Sequence, residues 1–419
     1  MQPVRRKARG GVIATALLMV AGSVPMAFVA ATPTSAAAAA APITIAYITS
    51  VTGEGGPEDG SSPVAFEARI DQQNAEGGVN GHKLVPLILD DQTNPSDIDT
   101  VIQEADSKAF GIVSQSPLFF LGAKYAQQAG VPVTGSYSDG PEWGTQPYTN
   151  MFAADDGSVD PKYPVNTEAG IIFKKVGATV LGAYGYAISP SSSRAAIATG
   201  DSFQHAGGKV GVVNTTIGFG SVNFGSVALT AKQDNVNAIA PEMDSNSNYA
   251  LAEALQQAGV KFKAVYATGY EPDVINSTAW SALQGGYFLS LFRPWLLPNA
   301  ATRQMQAAME KYAHFTKKDF PTFSQYEAWA GADLMIKGLQ LAGHNPTRTA
   351  VIKDLRGLKS YNVNGLLPQS FNYSTIFGHD PAMTCSWVVQ ADKTGFKMLQ
   401  TQPICGKDLA GTSTANATS

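Results

Sequence analysis

Gln73-Asn74-Ala75-Glu76-Gly77-Gly78-Val79-Asn80-Gly81-His82-Lys83-Leu84 runs straight into Val85–Asp91, whose last two residues are the acidic pair Asp90-Asp91. Physically this is a helix end, a tight glycine turn and a return strand. Gly77-Gly78 offers the left-handed backbone that a helix C-terminus needs, at little steric cost. Backward from the turn, Ser62–Glu76 reads as the helix, and Ile43–Thr49, beyond a glycine-rich loop, is an unbroken apolar run of strand length. Forward, the same rhythm continues: helix Pro95–Lys108, strand Phe110–Ser114, helix Leu118–Ala129, strand Val131–Gly135. The strands are apolar throughout rather than alternating, as expected of parallel strands covered by helices on both faces.

The pattern resumes with helices at Asn166–Lys175, Ser192–Ala206, Asn223–Lys232 and Asn248–Ala258. Strands fall at Thr179–Tyr184, Lys209–Asn214, Val236–Ala240 and Phe262–Ala267. Amphipathic helices follow at Ala300–Tyr312 and Phe323–Ala342, the second with Tyr326, Ala330, Leu334 and Leu341 on one face. A helix near Thr347–Leu358 precedes a β-like end, Thr384–Gln390 and Phe396–Leu399, joined by Asp392-Lys393-Thr394-Gly395. Repeated βα units in two stretches predict an α/β fold of two doubly wound parallel-sheet lobes. A length of 419 residues accommodates two to three domains.

Composition narrows the function. Hydrophobic residues are 44% and charged residues 15%, which supports a packed core and opposes disorder. Four of the 29 basic residues, Arg5, Arg6, Lys7 and Arg9, precede any acid; without residues 1–36 the net charge falls from −4 to −8. An acidic chain with no basic stripe is a poor partner for nucleic acid or anionic membrane. The five histidines, His82, His205, His314, His344 and His379, form no HExxH and no close pair, so no histidine metal site is expected, and no cofactor motif stands out either.

The basic start, the apolar stretch Val12–Ala30 and the small residues Thr34 and Ala36 describe a secretory signal over residues 1–36. An uncleaved anchor helix is the alternative. Gly22, Ser23 and Pro25 interrupt the stretch, and alanine outnumbers leucine in it, so it would anchor poorly. Lys7-Ala8 after Arg5-Arg6 departs from a twin-arginine signal. With no cysteine near the cleavage region for a lipid anchor, an exported, soluble protein of the cell envelope or exterior is expected. Cys385 and Cys405, the only cysteines, read as one disulfide in such a compartment.

Enzyme motifs are missing. Gly53-Glu54-Gly55-Gly56-Pro57-Glu58 falls where a dinucleotide fingerprint would lie, but Glu58 occupies its third glycine position and Pro57 disturbs the following helix. Gly208-Lys209 is followed by Val210, not the rest of a P-loop. Gly200-Asp201-Ser202 is similar to a fragment of an esterase nucleophile motif, with His205 nearby, yet it lies within a helix and lacks a GxSxG elbow.

The opening block resembles the N-A-x-G-G-[IV]-x-G-x-x-[LI] stretch and acidic pair of the extracytoplasmic solute-binding proteins of ABC transporters, in the branched-chain amino-acid (leucine-binding, type I periplasmic binding) family. The likeness extends to Gly53, Ala65–Glu67 and Gly130–Thr134 and, by element order, over residues 43–405. It implies two lobes joined by three crossings, placed near Met151, Ser290 and Leu366. Lobe one is then 43–150 plus 291–365, lobe two 151–290 plus 366–405, and 406–419 a disordered tail. It further implies a monomer that captures a small-molecule solute, an amino acid or related compound, for a membrane permease, without catalysis.

The resemblance also carries site residues over. Ser116 and Ser138 occupy positions that hold the ligand carboxylate, and Ser136 a position whose carbonyl meets the ammonium. Each could instead cap its helix. In the second lobe Asp244 stands where the family has a tyrosine and could supply counter-charge. Tyr270 or Glu271 could replace the family acid expected near Thr268–Glu271. Tyr184 or Tyr186 represents a loop aromatic. Glu58 replaces a family aromatic, and an acid there is costly beside an aliphatic side chain unless paired; a solute more polar than leucine, or one that is not an amino acid, is expected. A ligand-sensing domain signalling to a separate protein, and a serine esterase built on Ser202 and His205, remain as other readings.

Overall fold

The computed structural model describes residues 40–135, 140, 142–155, 165–375 and 383–409. The expected signal over residues 1–36, Ser136, Ser138 and residues 410–419 lie outside the described residues.

The first sheet is wholly parallel, ordered β2-β1-β3-β4-β5. Its elements are β1 (Ala40–Thr49), α1 (Gly56–Asp59), α2 (Pro63–Ala75), β2 (His82–Asp90), α3 (Ile98–Lys108), β3 (Gly111–Gln115), α4 (Phe119–Gln128), β4 (Val133–Gly135) and β5 (Met151–Ala153). The second comprises α5 (Glu168–Lys175), β6 (Val180–Tyr186), α6 (Pro190–His205), β7 (Lys209–Ile217), α7 (Gly225–Gln233), β8 (Ala238–Glu242), α8 (Ser245–Gln257), β9 (Lys263–Tyr266), α9 (Trp280–Leu283) and β10 (Tyr287–Ser290). The chain then returns to the first lobe as α10 (Ala300–Tyr312), α11 (Phe323–Leu341) and α12 (Arg348–Arg356), and ends in the second as β11 (Cys385–Asp392), β12 (Gly395–Met398) and β13 (Ile404–Cys405). The second sheet runs β12-β11-β10-β9-β8-β6-β7; β11 is antiparallel to β10, β12 and β13. The expected β-like end, Thr384–Gln390 and Phe396–Leu399, forms the antiparallel edge of this otherwise parallel sheet.

The motif that announces the fold is structural. Gly77 and Gly78 adopt φ of 101° and 78°, and a Cβ on Gly78 would lie 2.1 Å from the His82 carbonyl. The Asn74 carboxamide zips α2 to β2, donating to the Leu84 carbonyl (2.9 Å) and accepting from its N–H (2.8 Å). Asn80 Nδ2 donates to the carbonyls of Leu339 (3.0 Å) and Gly343 (2.9 Å), serving the open C-terminus of α11. The acidic pair clamps loops. Asp90 Oδ1 accepts from the N–H groups of Val51 (2.9 Å) and Gln92 (2.9 Å), and Asp91 from Ser50 Oγ (2.7 Å), Thr93 N–H (2.8 Å) and Ser116 Oγ.

Each sheet has two apolar faces. In the first lobe, α2, α10, α11 and α12 cover one face around Phe66, Met305 and Leu334, while α3 and α4 cover the other around Ile102 and Phe119. In the second, α7 and α8 pack over Leu251 and Tyr266, and α5 and α6 over Phe173 and Phe203. Cys385 and Cys405 form the disulfide between β11 and β13.

Two expectations about lobe boundaries are corrected. Met151–Ala153 is a strand of the first sheet and Ala154 packs in its core, so the first crossing lies between Ala154 and Val165, beyond Met151. Leu366, Leu367, Phe371, Tyr373 and Met383 all belong to the first lobe's core, which moves the third crossing from Leu366 to Thr384. Residues 406–409 of the segment assigned to the tail are packed: Leu409 is buried, and its N–H donates to the Val165 carbonyl at 2.7 Å. Among the described residues no helix is long and apolar enough to cross a membrane.

Candidate ligand-binding cleft

Both sheets present the carboxyl ends of their parallel strands to a cleft of about 350 Å³, within the range of small-molecule sites and where open α/β sheets place ligands. The first lobe contributes α1 after β1, the end of β3, and the N-terminal turn of α11. The second contributes the ends of β6 and β8 and the starts of α6 and α8.

On the second lobe, Asp244 is the N-cap of α8. Its Oδ1 accepts from Ser247 N–H (3.0 Å), and its Oδ2 from Ser247 Oγ (2.9 Å) and the Tyr186 hydroxyl. Tyr186, at the end of β6, also packs against Phe219 at 5.0 Å. Both residues line the cleft. Burial raises the Asp244 pKa, and the Ser247 bonds oppose that rise. The two residues form one unit, in which the acid stabilises its helix terminus and fixes the tyrosine.

Glu58 reaches across the cleft: its Oε2 accepts from Ser245 N–H at 3.1 Å, at the same helix terminus. Ser245 Oγ in turn donates to Glu271 Oε1 at 2.9 Å. Asp59, beside Glu58, accepts from Ser324 Oγ of α11 at 3.1 Å. Burial dominates the acidity of this group. It holds Glu58 well above the usual carboxylate range, with Asp244 and Asp59 adding repulsion, and pushes Asp59 up to about 8 and Glu271 up to about 7. Glu242, at the end of β8, is pushed up to about 7 by burial and accepts from Thr199 Oγ1 at 3.1 Å.

Several sequence expectations land elsewhere. Ser116 is buried, donates its hydroxyl to Asp91 and accepts from Leu118 N–H (3.1 Å), while its neighbours Gln115 and Pro117 line the cleft. It holds the loop rather than facing a ligand. Tyr270 is packed on Phe320 (4.9 Å, interplanar 25°) and edge-on to Phe396 (5.0 Å), outside the lining. Glu271 stands behind Ser245, also outside the lining. Tyr184 is a core residue. Ser202 is buried, its Oγ accepting from Gly170 N–H at 2.9 Å, and His205 lies exposed at the end of α6. Neither lines the cleft, so the esterase pair does not converge there.

The reading from sequence missed Arg194, Gln115, Glu242 and Glu327, all in the lining. Arg194 follows Ser189-Pro190-Ser191-Ser192-Ser193, which opens α6 directly after β6; a helix start at the end of a parallel strand was the available signal. Its Nε is buried without a hydrogen-bond partner. Gln115 ends β3, and its amide donates to Glu327 Oε2. Among the described residues, no group of three or more His, Cys, Asp or Glu could hold a metal ion.

No curated protein sequence matches the chain. Among solved structures, a branched-chain amino acid ABC transporter protein from Thermus thermophilus with bound valine is 13% identical, with a TM-score of 0.72 over 87% of this chain and 96% of that one. A solute-binding protein of an ABC transporter from R. palustris in complex with benzoate is 14% identical, with a TM-score of 0.71 over 88% and 98%. A substrate-binding periplasmic protein from Ralstonia solanacearum, also 14% identical, gives 0.71 over 85% and 99%. These likenesses show the same fold of two α/β lobes around a cleft. The family model described as periplasmic binding protein matches residues 42–396, from the first strand to the last hairpin, and the chain therefore belongs to the periplasmic binding protein family.

Proposed function

We propose that the protein is an exported receptor that captures a small polar solute between its lobes and delivers it to the membrane permease of an ABC importer. The observation that carries this reading is the cleft itself, with Arg194 offering an unpaired buried N–H among polar groups from both lobes. Valine and benzoate, bound in two similar structures, each bear a carboxylate, and a guanidinium is suited to such a group. Residues 1–36 act as a cleaved secretory signal, and the processed chain works as a monomer without catalysis. Ser136 and Ser138 take part in holding the solute.

Closure around a solute draws its free energy from the solute's higher affinity for the closed form. The test is equilibrium binding by calorimetry against amino acids, amides, sugars, polyols and aromatic acids, with small-angle scattering as the readout of closure. One saturable site whose occupancy contracts the protein is expected. A folded protein that binds nothing across the panel overturns the receptor reading and favours a sensor that responds to a protein partner.

A further inference from the structure

Six carboxyl groups line the cleft, those of Glu58, Asp59, Glu168, Glu242, Asp244 and Glu327, against the single guanidinium of Arg194 among the described lining residues. Three of these acids come from the first lobe, on α1 and α11, at the end of β3 where Gln115 sits. Gln115 is only 3% exposed, and its amide N–H already serves Glu327. Its amide oxygen is buried with no donor. A buried acceptor left empty costs free energy, and an N–H donor on a bound solute would fill it.

We infer that the solute is an organic cation, whose protonated amine or guanidinium is held on the first lobe by Gln115, Glu58, Asp59 and Glu327. This rests on the receptor reading and names its substrate class. The acceptors come from separate elements, α1, β3 and α11, and so could share the several N–H groups of one amine or guanidinium.

The surroundings explain why such a cluster is tolerated when empty. Facing the first-lobe acids are Asp244 and Glu242 from β8 and the start of α8, with Glu271 behind Ser245. Asp91 lies beneath, held by Ser50 and Ser116, and Arg194 and Glu168 enter from α6 and α5. Burial raises the pKa of Glu58, Asp59 and Glu242, and repulsion from neighbouring carboxyl groups adds to the rise at Glu58 and Asp59. An arriving cation reverses that balance, so protons leave as it binds. The sign follows: bound acids ionise more readily than free ones, so affinity rises with pH up to about 8.

The test uses purified protein and 1,4-diaminobutane, agmatine and arginine as cations, with leucine, benzoate and a hexitol as zwitterionic, anionic and neutral probes. At least one cation should bind ten-fold or more tightly than any of the other three, with affinity rising several-fold from pH 5.5 to 7.5. Calorimetry in buffers of different ionisation enthalpy should register proton release in the unmodified protein. Gln115→Met, which keeps size but removes the acceptor, should weaken the cation about ten-fold. Binding of leucine, benzoate or the hexitol in preference to every cation overturns the cation assignment and leaves the receptor standing. Cation binding with no proton release overturns the assignment too. Binding of none of the six overturns the assignment, and the wider panel then decides the receptor reading.

Discussion

Asp59→Asn should stabilise the protein, and most of all at neutral pH. Asp59 is 8% exposed, and its carboxyl is pushed from an ordinary 3.8 up to about 8, chiefly by burial. A carboxyl group whose pKa is raised by folding costs nothing below the unfolded value, because both states are then protonated. The cost grows by about 1.36 kcal/mol per pH unit above 3.8 and levels off beyond the folded value. At pH 7 that amounts to roughly 3 units, or about 4 kcal/mol; at pH 5 it is about 2 kcal/mol. Asparagine reproduces the protonated acid, keeping an acceptor for Ser324 Oγ and a donor on the other atom. Unfolding entropy of about 2.1 cal/mol/K per residue, over the residues from 40 to 409, converts 4 kcal/mol into a rise in Tm of about 5 °C. Thermal unfolding of both proteins at pH 5, 6 and 7 reads this directly. The variant should gain more at pH 7 than at pH 5, and its stability should fall less steeply with pH. A variant less stable than the parent at pH 7, or one with the parent's pH slope, refutes the reasoning.

Asp91→Ala removes the acceptor shared by Ser50, Thr93 and Ser116 and should cost about 3 kcal/mol in urea unfolding, since two buried donors and one half-buried donor lose their common partner. Replacing both Cys385 and Cys405 by Ser opens the loop between residues 20 apart and should cost roughly 3 kcal/mol, read the same way. In Gly331→Ala a Cβ would stand 2.7 Å from Val113 Cγ1 and 3.0 Å from the Gly135 Cα. α11 must therefore back away from the first sheet, lowering stability by about 1–3 kcal/mol in the same assay.

What the sequence discloses follows from how local each determinant is. The block from Asn74 to Leu84 is readable because a glycine turn and its flanking polar residues act within ten positions. Met151–Ala153 and Tyr287–Ser290 escape periodicity because strands of three and four residues show no pattern. The third crossing was misplaced at Leu366 because residues 361–373 return to α11, where the Tyr361 hydroxyl meets the Ala330 carbonyl at 3.2 Å. That contact spans 31 residues and leaves no local mark. Ser116 follows β3, and its hydroxyl turns to Asp91, a pairing across 25 residues set by strand order and not legible locally. Tyr186 and Asp244 were each singled out, whereas their bond to one another emerged only when β6 and β8 lay side by side. Arg194 gave no signal beyond an ordinary helix start, and only the packing of α6 at the end of β6 turns it toward the cleft.

Small-angle scattering of the purified protein, titrated with the solute that binds best in calorimetry, tests the receptor most directly. A single saturable site accompanied by a smaller radius of gyration is the predicted result. A folded protein that binds none of the solutes, and whose dimensions never change, would contradict it.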